Sequence, residues 1–322
     1  MTRLAVIVPC FEEEAVIHHT HEVLGRLLGR MIESGDISDD SYILYVDDGS
    51  SDGTWDAIAG ISSGSADGDA APVAAKGIRL SRNFGHQYAL LAGMEQVAGE
   101  CDACVTIDAD LQDDPSVIPE MIRAYKRGAE VVYGVRSRRE NDGWFKKHSA
   151  HAYYRLLNLL GVECIYDHAD YRLLGSRALE SLLEYGERNV FLRGMVPQLG
   201  YRQEKVYYHR GERKEGCSKY PVGKMLEFAA DGVTSFSVTP VRMLFWLGLL
   251  FMATAIGMGI YVFFRYFKGE TIEGWTSLML SIWFCTGILL FGMGILGEYV
   301  GKIYVEVKKR PRYKISETTF IN

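Results

Sequence analysis

The stretch Asp102-Ala-Cys-Val-Thr-Ile-Asp108-Ala-Asp110-Leu-Gln112-Asp113-Asp114-Pro115 joins a short apolar run to a cluster of carboxylates. Residues 103–107 are typical of a strand that is buried on both faces of a sheet. Asp108 and Asp110 follow at the carboxyl end of that strand, where open α/β sheets bind their ligands. Such hard oxygen ligands suit Mg²⁺ or Mn²⁺, which one or two carboxylates hold together with substrate phosphates. Taken alone, the Asp-x-Asp pair could also simply end the strand before a helix that begins near Pro115.

The segments on either side of this stretch alternate between strand and helix patterns. Strands are expected at 4–9, 42–46, 77–80, 103–107 and 130–135, and helices at 13–31, 87–97 and 117–126, with another after residue 54. This alternation predicts a mostly parallel sheet with helices on both faces. The segment 62–76 is rich in Ser, Gly, Ala and Asp, and it is expected to be a flexible surface connection.

Two further strand ends carry candidate ligand contacts. The octet 47–54 has the sequence Asp-Asp-Gly-Ser-Ser-Asp-Gly-Thr, whose glycines allow a ligand to approach the backbone while Asp48 or Asp47 accepts a hydrogen bond. A tight turn with a helix N-cap would have a similar sequence. Arg82 ends the third strand, where it could contact a phosphate or be an ordinary surface arginine.

Composition limits the class of partner. The chain has 322 residues, 48% of them hydrophobic, and a formal net charge of -6. It is long enough for one large domain plus a further segment. A nucleic-acid-binding protein needs a basic face, so no nucleic-acid partner is expected.

The C-terminal third has the pattern of a membrane anchor. The segments 243–264 and 275–297 contain no charged residue, and each exceeds the roughly 20 residues that a crossing of about 30 Å needs. Apolar residues at helical spacing predict an amphipathic interfacial helix over 222–240. The basic residues between 302 and 312 place the tail inside, and two crossings return the chain to the side of the first domain. We therefore expect a multi-pass protein of the cell (inner) membrane, with its catalytic domain and both termini cytosolic.

A basic segment lies between the first domain and this anchor. Residues 136–154 carry five Arg and Lys side chains around Trp144 and Phe145. Such a segment could lie at a membrane surface and bind a phosphate there, or it could be a solvated loop.

The ordered set of motifs resembles the family 2 glycosyltransferases, and in particular the polyprenyl-phosphate hexosyltransferases, which include dolichol-phosphate mannose synthase and the bactoprenol glucosyltransferases. The resemblance covers about residues 3–313 and leaves the 62–76 insertion outside it. It implies a GT-A (Rossmann-like) catalytic domain over 1–221, the interfacial helix 222–240, two transmembrane helices within 241–298 and a cytosolic tail over 299–322. The motifs that carry it are Pro9-x-Phe11-x-Glu13-Glu14, Asp47-Asp48-Gly49-Ser50-x-Asp52-Gly53-Thr54, Arg79-Leu-Ser-Arg82-Asn-Phe-Gly85, Asp108-Ala-Asp110-Leu-Gln112-Asp113, Asp170-Tyr-Arg172-Leu, Phe191-Leu-Arg-Gly194 and Ser218-Lys-Tyr220.

The resemblance also implies a role for individual residues. Asp108, Asp110 and Gln112 would bind the metal ion, and Asp170 and Arg172 would be catalytic. Arg136 and Lys147 would bind the acceptor phosphate. The residues that would bind the nucleotide sugar are Pro9, Phe11, Glu13, Asp47, Asp48, Arg82 and Asp108. Three positions depart from the family pattern. Glu12 stands where relatives usually have Asn, Ala169 where they have Gly, and Lys147 where they tend to have Arg.

The implied reaction is inverting transfer of a hexose, preferably glucose from UDP-glucose, to polyprenyl (undecaprenyl) phosphate, with Mg²⁺ or Mn²⁺ as cofactor. The family often assigns the general base to an Asp such as Asp170. An acceptor phosphate is already mostly a dianion at neutral pH, so Asp170 could instead orient the sugar or Arg172.

Two other functions compete with this interpretation. A processive polysaccharide synthase would usually carry a Gln-x-x-Arg-Trp motif, which this sequence lacks. A non-catalytic membrane scaffold that binds nucleotide sugars would be favoured by loss of the acidic pair, which is retained. The tail also allows association with a second copy, and a homo-oligomer up to a tetramer is possible.

Overall fold

The structure is a computed structural model that describes residues 1–64, 73–136, 168–188, 190–208, 239–268 and 274–320. The chain forms two units. The first contains the described residues up to 208 together with those from 310 onward, and the second contains the described residues between 239 and 309.

An eight-stranded sheet forms the centre of the first unit, with the strand order β7-β5-β6-β4-β1-β2-β3-β8. Neighbours pair in parallel at β1–β2, β1–β4, β2–β3 and β5–β7, which confirms the prediction of a mostly parallel sheet. β6 runs antiparallel to β4 and β5, and β8 runs antiparallel to β3. The strands are β1 (Leu4–Cys10), β2 (Tyr42–Asp47), β3 (Ala74–Leu80), β4 (Ala103–Thr106), β5 (Val131–Arg136), β6 (His168–Gly175), β7 (Gln203–Tyr208) and β8 (Ile315–Thr318).

Eight α-helices are described in the two units. They are α1 (Ile17–Glu33), α2 (Thr54–Ser62), α3 (His86–Val97), α4 (Ile118–Lys126), α5 (Ser176–Leu183), α6 (Leu192–Gln198), α7 (Thr239–Phe267) and α8 (Trp275–Lys308). A single 3₁₀ turn, Pro115–Val117, precedes α4, and the Asp114 side chain caps it by accepting a hydrogen bond from the Ser116 amide.

The apolar runs that predicted the strands form the core. Every residue of β1 and β2 is buried, as expected for strands covered on both faces. α3 packs very close to β1, because a Cβ at Gly93 would lie 2.4 Å from Ile7 Cγ2. This contact holds α3 against β1, and the first residue of α3, His86, lies at the candidate site.

The connection before β3 is shorter than predicted. β3 begins at Ala74, not at residue 77, because residues 74–76 pair with β2 from Tyr42 onward. The expectation of a flexible connection is therefore wrong for 74–76, and α2 also extends to Ser62. Residues 65–72 of this connection lie outside the described residues.

The C-terminal part is helical at both predicted positions. α7 and α8 contact each other through Phe251 and Phe284, whose ring centroids are 5.7 Å apart in an edge-to-face arrangement. Among the described residues, one helical segment, Phe284–Lys308, is long and apolar enough to cross a membrane. It overlaps the predicted crossing 275–297 from residue 284 onward. The predicted interfacial helix 222–240 lies outside the described residues, except for its last two, which belong to α7.

Candidate active site

A cavity of about 270 Å³ lies at the carboxyl ends of the four parallel strands β1 to β4. The cavity contains five of the predicted nucleotide-sugar residues, together with Asp110 from the predicted metal set. Asp47, Arg82, Gln112, Arg136, Asp170 and Arg172 are not among the described residues that line it. The lining residues are Pro9, Cys10, Phe11, Glu13, Asp48, Asn83, Gly85, His86, Ala89, Asp108, Ala109 and Asp110.

Asp108 lies at the cavity near three other carboxylates. Its side chain, 44% exposed, faces the cavity at the end of β4. Burial in the cleft raises the pKa of Asp108 to about 6; His86 opposes this, and the carboxylates of Asp170, Asp113 and Asp110 add to it. A positive charge bound here would relieve the repulsion.

The acidic pair fits a divalent cation that binds together with phosphate. Asp108 and Asp110 both face the cavity. The exposed Asp110 is held by the backbone N–H of Gln112, which donates to its Oδ1 at 3.1 Å. No group of three His, Cys, Asp or Glu side chains with metal-binding geometry occurs among the described residues. Mg²⁺ and Mn²⁺ commonly take only one or two carboxylates and complete their shell with phosphate and water. The Gln112 side chain is buried, with 8% exposure.

His86 connects the acidic pair to a second carboxylate. As the first residue of α3 it lines the cavity, and its Nε2 lies 3.7 Å from Asp108 Oδ1 and 3.5 Å from Asp170 Oδ2. Burial lowers the pKa of His86, but the hydrogen bond with Asp170 and the charges of both carboxylates outweigh it and raise that pKa. The geometry therefore favours an imidazolium between the two acids.

Asp170 is the centre of a buried polar network. β6 is antiparallel to β4, so the start of β6 lies beside the carboxyl end of β4 and brings Asp170 close to the cavity. Its carboxylate contacts Arg172 at 2.5 Å, Arg193 at 3.0 Å and Gln87 at 3.3 Å, besides His86. Burial raises the pKa of Asp170, but His86 and the two arginines outweigh it and hold that pKa well below its usual range. A carboxylate with this many donors is a weak base.

The two arginines of this network differ in exposure. Arg172 is fully buried, and its Nη1 donates to the Leu192 carbonyl at 3.1 Å. In this position Arg172 cannot touch a substrate. Arg193, at the start of α6, is 46% exposed and presents a cation beside Asp170.

His86 and Arg193 were assigned no role from the sequence. The available signal for His86 was its place directly after Gly85, in a loop that followed a predicted strand. Arg193 lies in the Phe191–Gly194 motif, which carries the family resemblance but implies no role for this arginine.

Asp47 and Asp48, at the end of β2, point in different directions. Asp48 lines the cavity, and its two oxygens each accept a hydrogen bond of 2.8 Å, from the amides of Phe84 and Gly85. Burial raises the pKa of Asp48, and these two hydrogen bonds oppose the rise. Asp47 is fully buried and faces the other way, 3.3 Å from Arg79.

The loop after β2 lies against the loop after β3. Gly49 has φ +70°, and a Cβ there would lie 2.4 Å from the Arg82 carbonyl carbon. The Arg82 guanidinium lies 4.0 Å from the centroid of the Phe84 ring, and its Nη1 donates to the Asn83 carbonyl. Arg82 is therefore next to the cavity without lining it.

Of the two predicted acceptor-phosphate residues, only Arg136 is described. It ends β5, and its Nη2 lies 3.0 Å from Asp113 Oδ1, to which the Tyr208 hydroxyl also donates. Burial lowers the pKa of Arg136, but Asp113 and Tyr208 raise it overall. Lys147, like the rest of the basic segment after 136, lies outside the described residues.

Comparison with known proteins identifies the family. Residues 5–183 match glycosyl transferase family 2, and residues 239–303 match the GtrB C-terminal hairpin. The chain is 47% identical to the uncharacterized glycosyltransferase YkoT of Bacillus subtilis, over 97% of this chain and 90% of that protein. It is 33% identical to the bactoprenol glucosyl transferase of Shigella phage SfII, over 98% of both chains.

Among solved structures, glucosyl-3-phosphoglycerate synthase from Mycobacterium tuberculosis is similar at 17% identity and a TM-score of 0.43, covering 73% of this chain and 80% of that one. The family match covers more than half of the chain, and the relatives match it almost from end to end. The chain therefore belongs to glycosyl transferase family 2, with the GT-A α/β fold of its glycosyltransferases.

Proposed function

We propose that the protein transfers a hexose from a nucleotide diphosphate sugar to polyprenyl phosphate at the cytosolic face of the membrane. The observation that carries this proposal is the cavity in which Asp48, His86, Asp108 and Asp110 meet at the carboxyl ends of β1 to β4. It occurs in a chain whose full length is similar to bactoprenol glucosyl transferases. UDP-glucose and undecaprenyl phosphate are the substrates that we propose.

The nucleoside would bind between the ends of β1 and β2. Phe11 lines the cavity with 45% exposure and offers an apolar surface, while Pro9 and Glu13 form the adjoining wall. Asp48 keeps acceptor capacity for a base N–H, since each of its oxygens receives one backbone amide. This assignment favours Asp48 over Asp47, whose carboxylate is buried against Arg79.

Asp108 and Asp110 would hold the Mg²⁺ or Mn²⁺ ion. Gln112 would contribute through its backbone N–H, which orients Asp110. A bound divalent cation stabilises negative charge on the departing diphosphate, which is the charge that develops in the transition state. His86 adds positive charge on the same side of the cavity and orients Asp108.

Asp170 and Arg172 act in this proposal as positioning residues. Asp170 is ionised and saturated with donors, and the acceptor phosphate needs little deprotonation because its second pKa is about 6. Asp170 therefore fixes His86 and Arg193 at the cavity, and the buried Arg172 fixes Asp170. The acceptor oxygen attacks the anomeric carbon directly and inverts its configuration.

The acceptor phosphate would be held at the end of β5. Arg136 is 34% exposed there, oriented by Asp113, and Lys147 follows in the basic segment that we assign to the membrane surface. Arg193, which contacts Asp170 and is partly exposed, would supply a further cation for this phosphate.

The membrane arrangement is supported by the return of the chain to its first unit. β8 follows the hairpin in sequence and pairs with β3, so the chain leaves and re-enters the catalytic unit on one side of any membrane that the hairpin crosses. Two crossings satisfy this condition. The basic residues after the second helix favour the cytosolic side.

A panel of labelled nucleotide sugars tests the proposal on full-length protein in nanodiscs that contain undecaprenyl phosphate. We expect label in the lipid phase, with UDP-glucose as the preferred donor. Label in a water-insoluble polymer would instead identify a processive synthase. Nucleotide-sugar binding without transfer from any donor would identify a scaffold.

A further inference from the structure

The C-terminal segment after the helical hairpin forms part of the catalytic sheet. β8 pairs with the outer edge of β3, with Arg79 opposite Glu317 and Ile78 opposite Thr318. Beyond the strand, Thr319 exchanges two hydrogen bonds with Gly77: its Oγ1 accepts from the Gly77 amide at 2.8 Å and its own amide donates to the Gly77 carbonyl at 2.9 Å. The tail thus covers an edge strand whose carboxyl end leads into the cavity.

Glu317 projects from this strand toward the loop that carries Asp48. Its Oε2 accepts a hydrogen bond of 3.0 Å from Trp55 Nε1, and its Oε1 lies 3.1 Å from Arg79 Nη1. Trp55 is buried in the first turn of α2, immediately after the 47–54 loop. One carboxylate from the tail therefore contacts both the helix that ends this loop and the strand beside it.

Arg79 also contacts the start of the same loop. Its Nε lies 3.3 Å from Asp47 Oδ2, and its Nη2 donates to the Ser50 carbonyl at 3.1 Å. Asp47 Oδ1 in turn accepts from the Ser50 amide at 2.9 Å. All three guanidinium nitrogens of Arg79 are used, one toward Glu317 and two toward the turn that presents Asp48 to the cavity.

We propose that Glu317 is a positioning residue for the sugar-donor pocket, acting through Arg79 on the Asp47–Ser50 turn. The inference deepens the proposed function and rests on it for the identity of the ligand. Asp47 is fully buried, and a buried carboxylate is stable only when its cation stays in place. Without Glu317, the Arg79 guanidinium loses one of the three acceptors that hold it in place. The turn that carries Asp48 is then held less firmly.

The effect is expected in donor affinity. Glu317, Arg79 and Asp47 do not line the cavity, so the reacting atoms are not touched directly. The acceptor groups lie at the end of β5, which is separated from β2 by the three strands β6, β4 and β1. Glu317 is about half exposed, so its loss should weaken the turn without unfolding the domain.

Thr319 provides the matched control. Its hydrogen bonds are made with Gly77, and among the described residues it shares none with Arg79 or Trp55. Thr319→Val keeps the shape of the side chain and removes its hydroxyl acceptor, so it weakens the docking of the tail without touching the Glu317–Arg79 pair. A purely structural role of the tail would make both variants behave alike.

The test uses full-length protein in nanodiscs and compares the wild type with Glu317→Ala, Glu317→Gln and Thr319→Val. We measure KM for UDP-glucose, KM for undecaprenyl phosphate, kcat, and UDP-glucose affinity by calorimetry. Glu317→Ala should raise the donor KM and Kd about three- to tenfold, as expected for a partly exposed charge-assisted contact, while kcat and acceptor KM stay within about twofold. Glu317→Gln should fall between, because its amide oxygen can still accept from Trp55.

Three results would overturn the inference. They are an unchanged donor Kd in Glu317→Ala, an equal rise of the donor Kd in Thr319→Val, and a parallel rise of the donor and acceptor KM in Glu317→Ala. The failure of the proposed function looks different. A wild type that binds UDP-glucose without transferring glucose disproves the reaction, while a weaker Kd in Glu317→Ala would still support the positioning role.

Discussion

His86 Nε2 lies 3.5 Å from Asp170 Oδ2 and thereby joins the N-terminus of α3 to the start of β6 across the candidate active site. The same ring lies 3.7 Å from Asp108 Oδ1. One imidazole therefore lies between Asp108, to which we assign the metal ion, and the buried carboxylate of Asp170.

Asp170→Asn should abolish transfer and destabilise the domain. The amide cannot balance Arg172, which is fully buried, and removing one partner of a buried pair typically costs about 3–5 kcal/mol. Activity assays and urea unfolding check the two effects separately. A near-normal rate would remove Asp170 from the mechanism.

Arg193→Gln should reduce kcat with little loss of stability. Arg193 contacts the same carboxylate as Arg172, but its side chain is 46% exposed, so water can replace it in the folded protein. We expect kcat to fall about 10- to 100-fold, as for the loss of one charge-stabilising donor, and the urea midpoint to stay close to that of the wild type. An unchanged kcat would show that the Arg193 cation is not used.

Asp108→Ala and Asp110→Ala should each abolish metal-dependent transfer, because they remove the two cavity-lining carboxylates to which we assign the metal ion. Chelation of divalent cations should have the same effect on the wild type, with recovery on addition of Mg²⁺ or Mn²⁺. Asp102→Asn is the matched control, since this exposed carboxylate lies at the opposite end of β4 and contacts the Arg3 amide. Turnover that persists in the presence of chelator would contradict the metal role.

Gly49→Ala should destabilise the protein and weaken donor binding. The substitution places a Cβ at φ +70° and 2.4 Å from the Arg82 backbone, so the two loops at the cavity must separate. We expect a loss of at least about 1–2 kcal/mol in unfolding free energy, the usual cost of a residue held in an unfavourable backbone conformation.

Gly60→Ala is the control for this prediction. Gly60 lies within α2, and nothing lies within 4 Å of a Cβ built there. Because alanine favours the helix, this change should stabilise the domain by about 0.4–1 kcal/mol. A Gly49→Ala protein with wild-type stability would show that the loops can move apart at no cost.

The parallel half of the site could be predicted from the sequence. β1, β2 and β4 are continuous apolar runs, and a parallel sheet necessarily brings their carboxyl ends to one edge. This geometry explains why Phe11, Asp48 and Asp108 were expected together and line one cavity.

The choice between Asp47 and Asp48 could not be made in the same way. Adjacent residues at a strand end point in opposite directions, and the pattern does not show which direction is the cavity. The structure resolves this through Arg79, which pairs with Asp47 across β2 and β3 and binds its carboxylate.

The antiparallel part of the sheet was beyond sequence reasoning. β6 lies between β4 and β5, so Asp170 comes close to the cavity through pairings between residues far apart in the chain. β8 pairs with β3 from the other end of the chain, and neither pairing leaves a local signal. Residue preferences were similarly insufficient at Glu12, which has φ +58° where relatives usually have Asn. Its side chain accepts hydrogen bonds from the Ser51 amide and hydroxyl, which offset the unfavourable conformation.

The central claim is that the two aspartates at the end of β4 support transfer of a sugar to a lipid phosphate. The most direct measurement incubates full-length wild-type and Asp108→Ala protein with labelled UDP-glucose, undecaprenyl phosphate and Mg²⁺ or Mn²⁺, and then separates the lipid phase. We predict a single labelled glycolipid with the wild type and none with Asp108→Ala. Equal label in the lipid phase from both proteins, or none from the wild type with any nucleotide sugar, would contradict the claim.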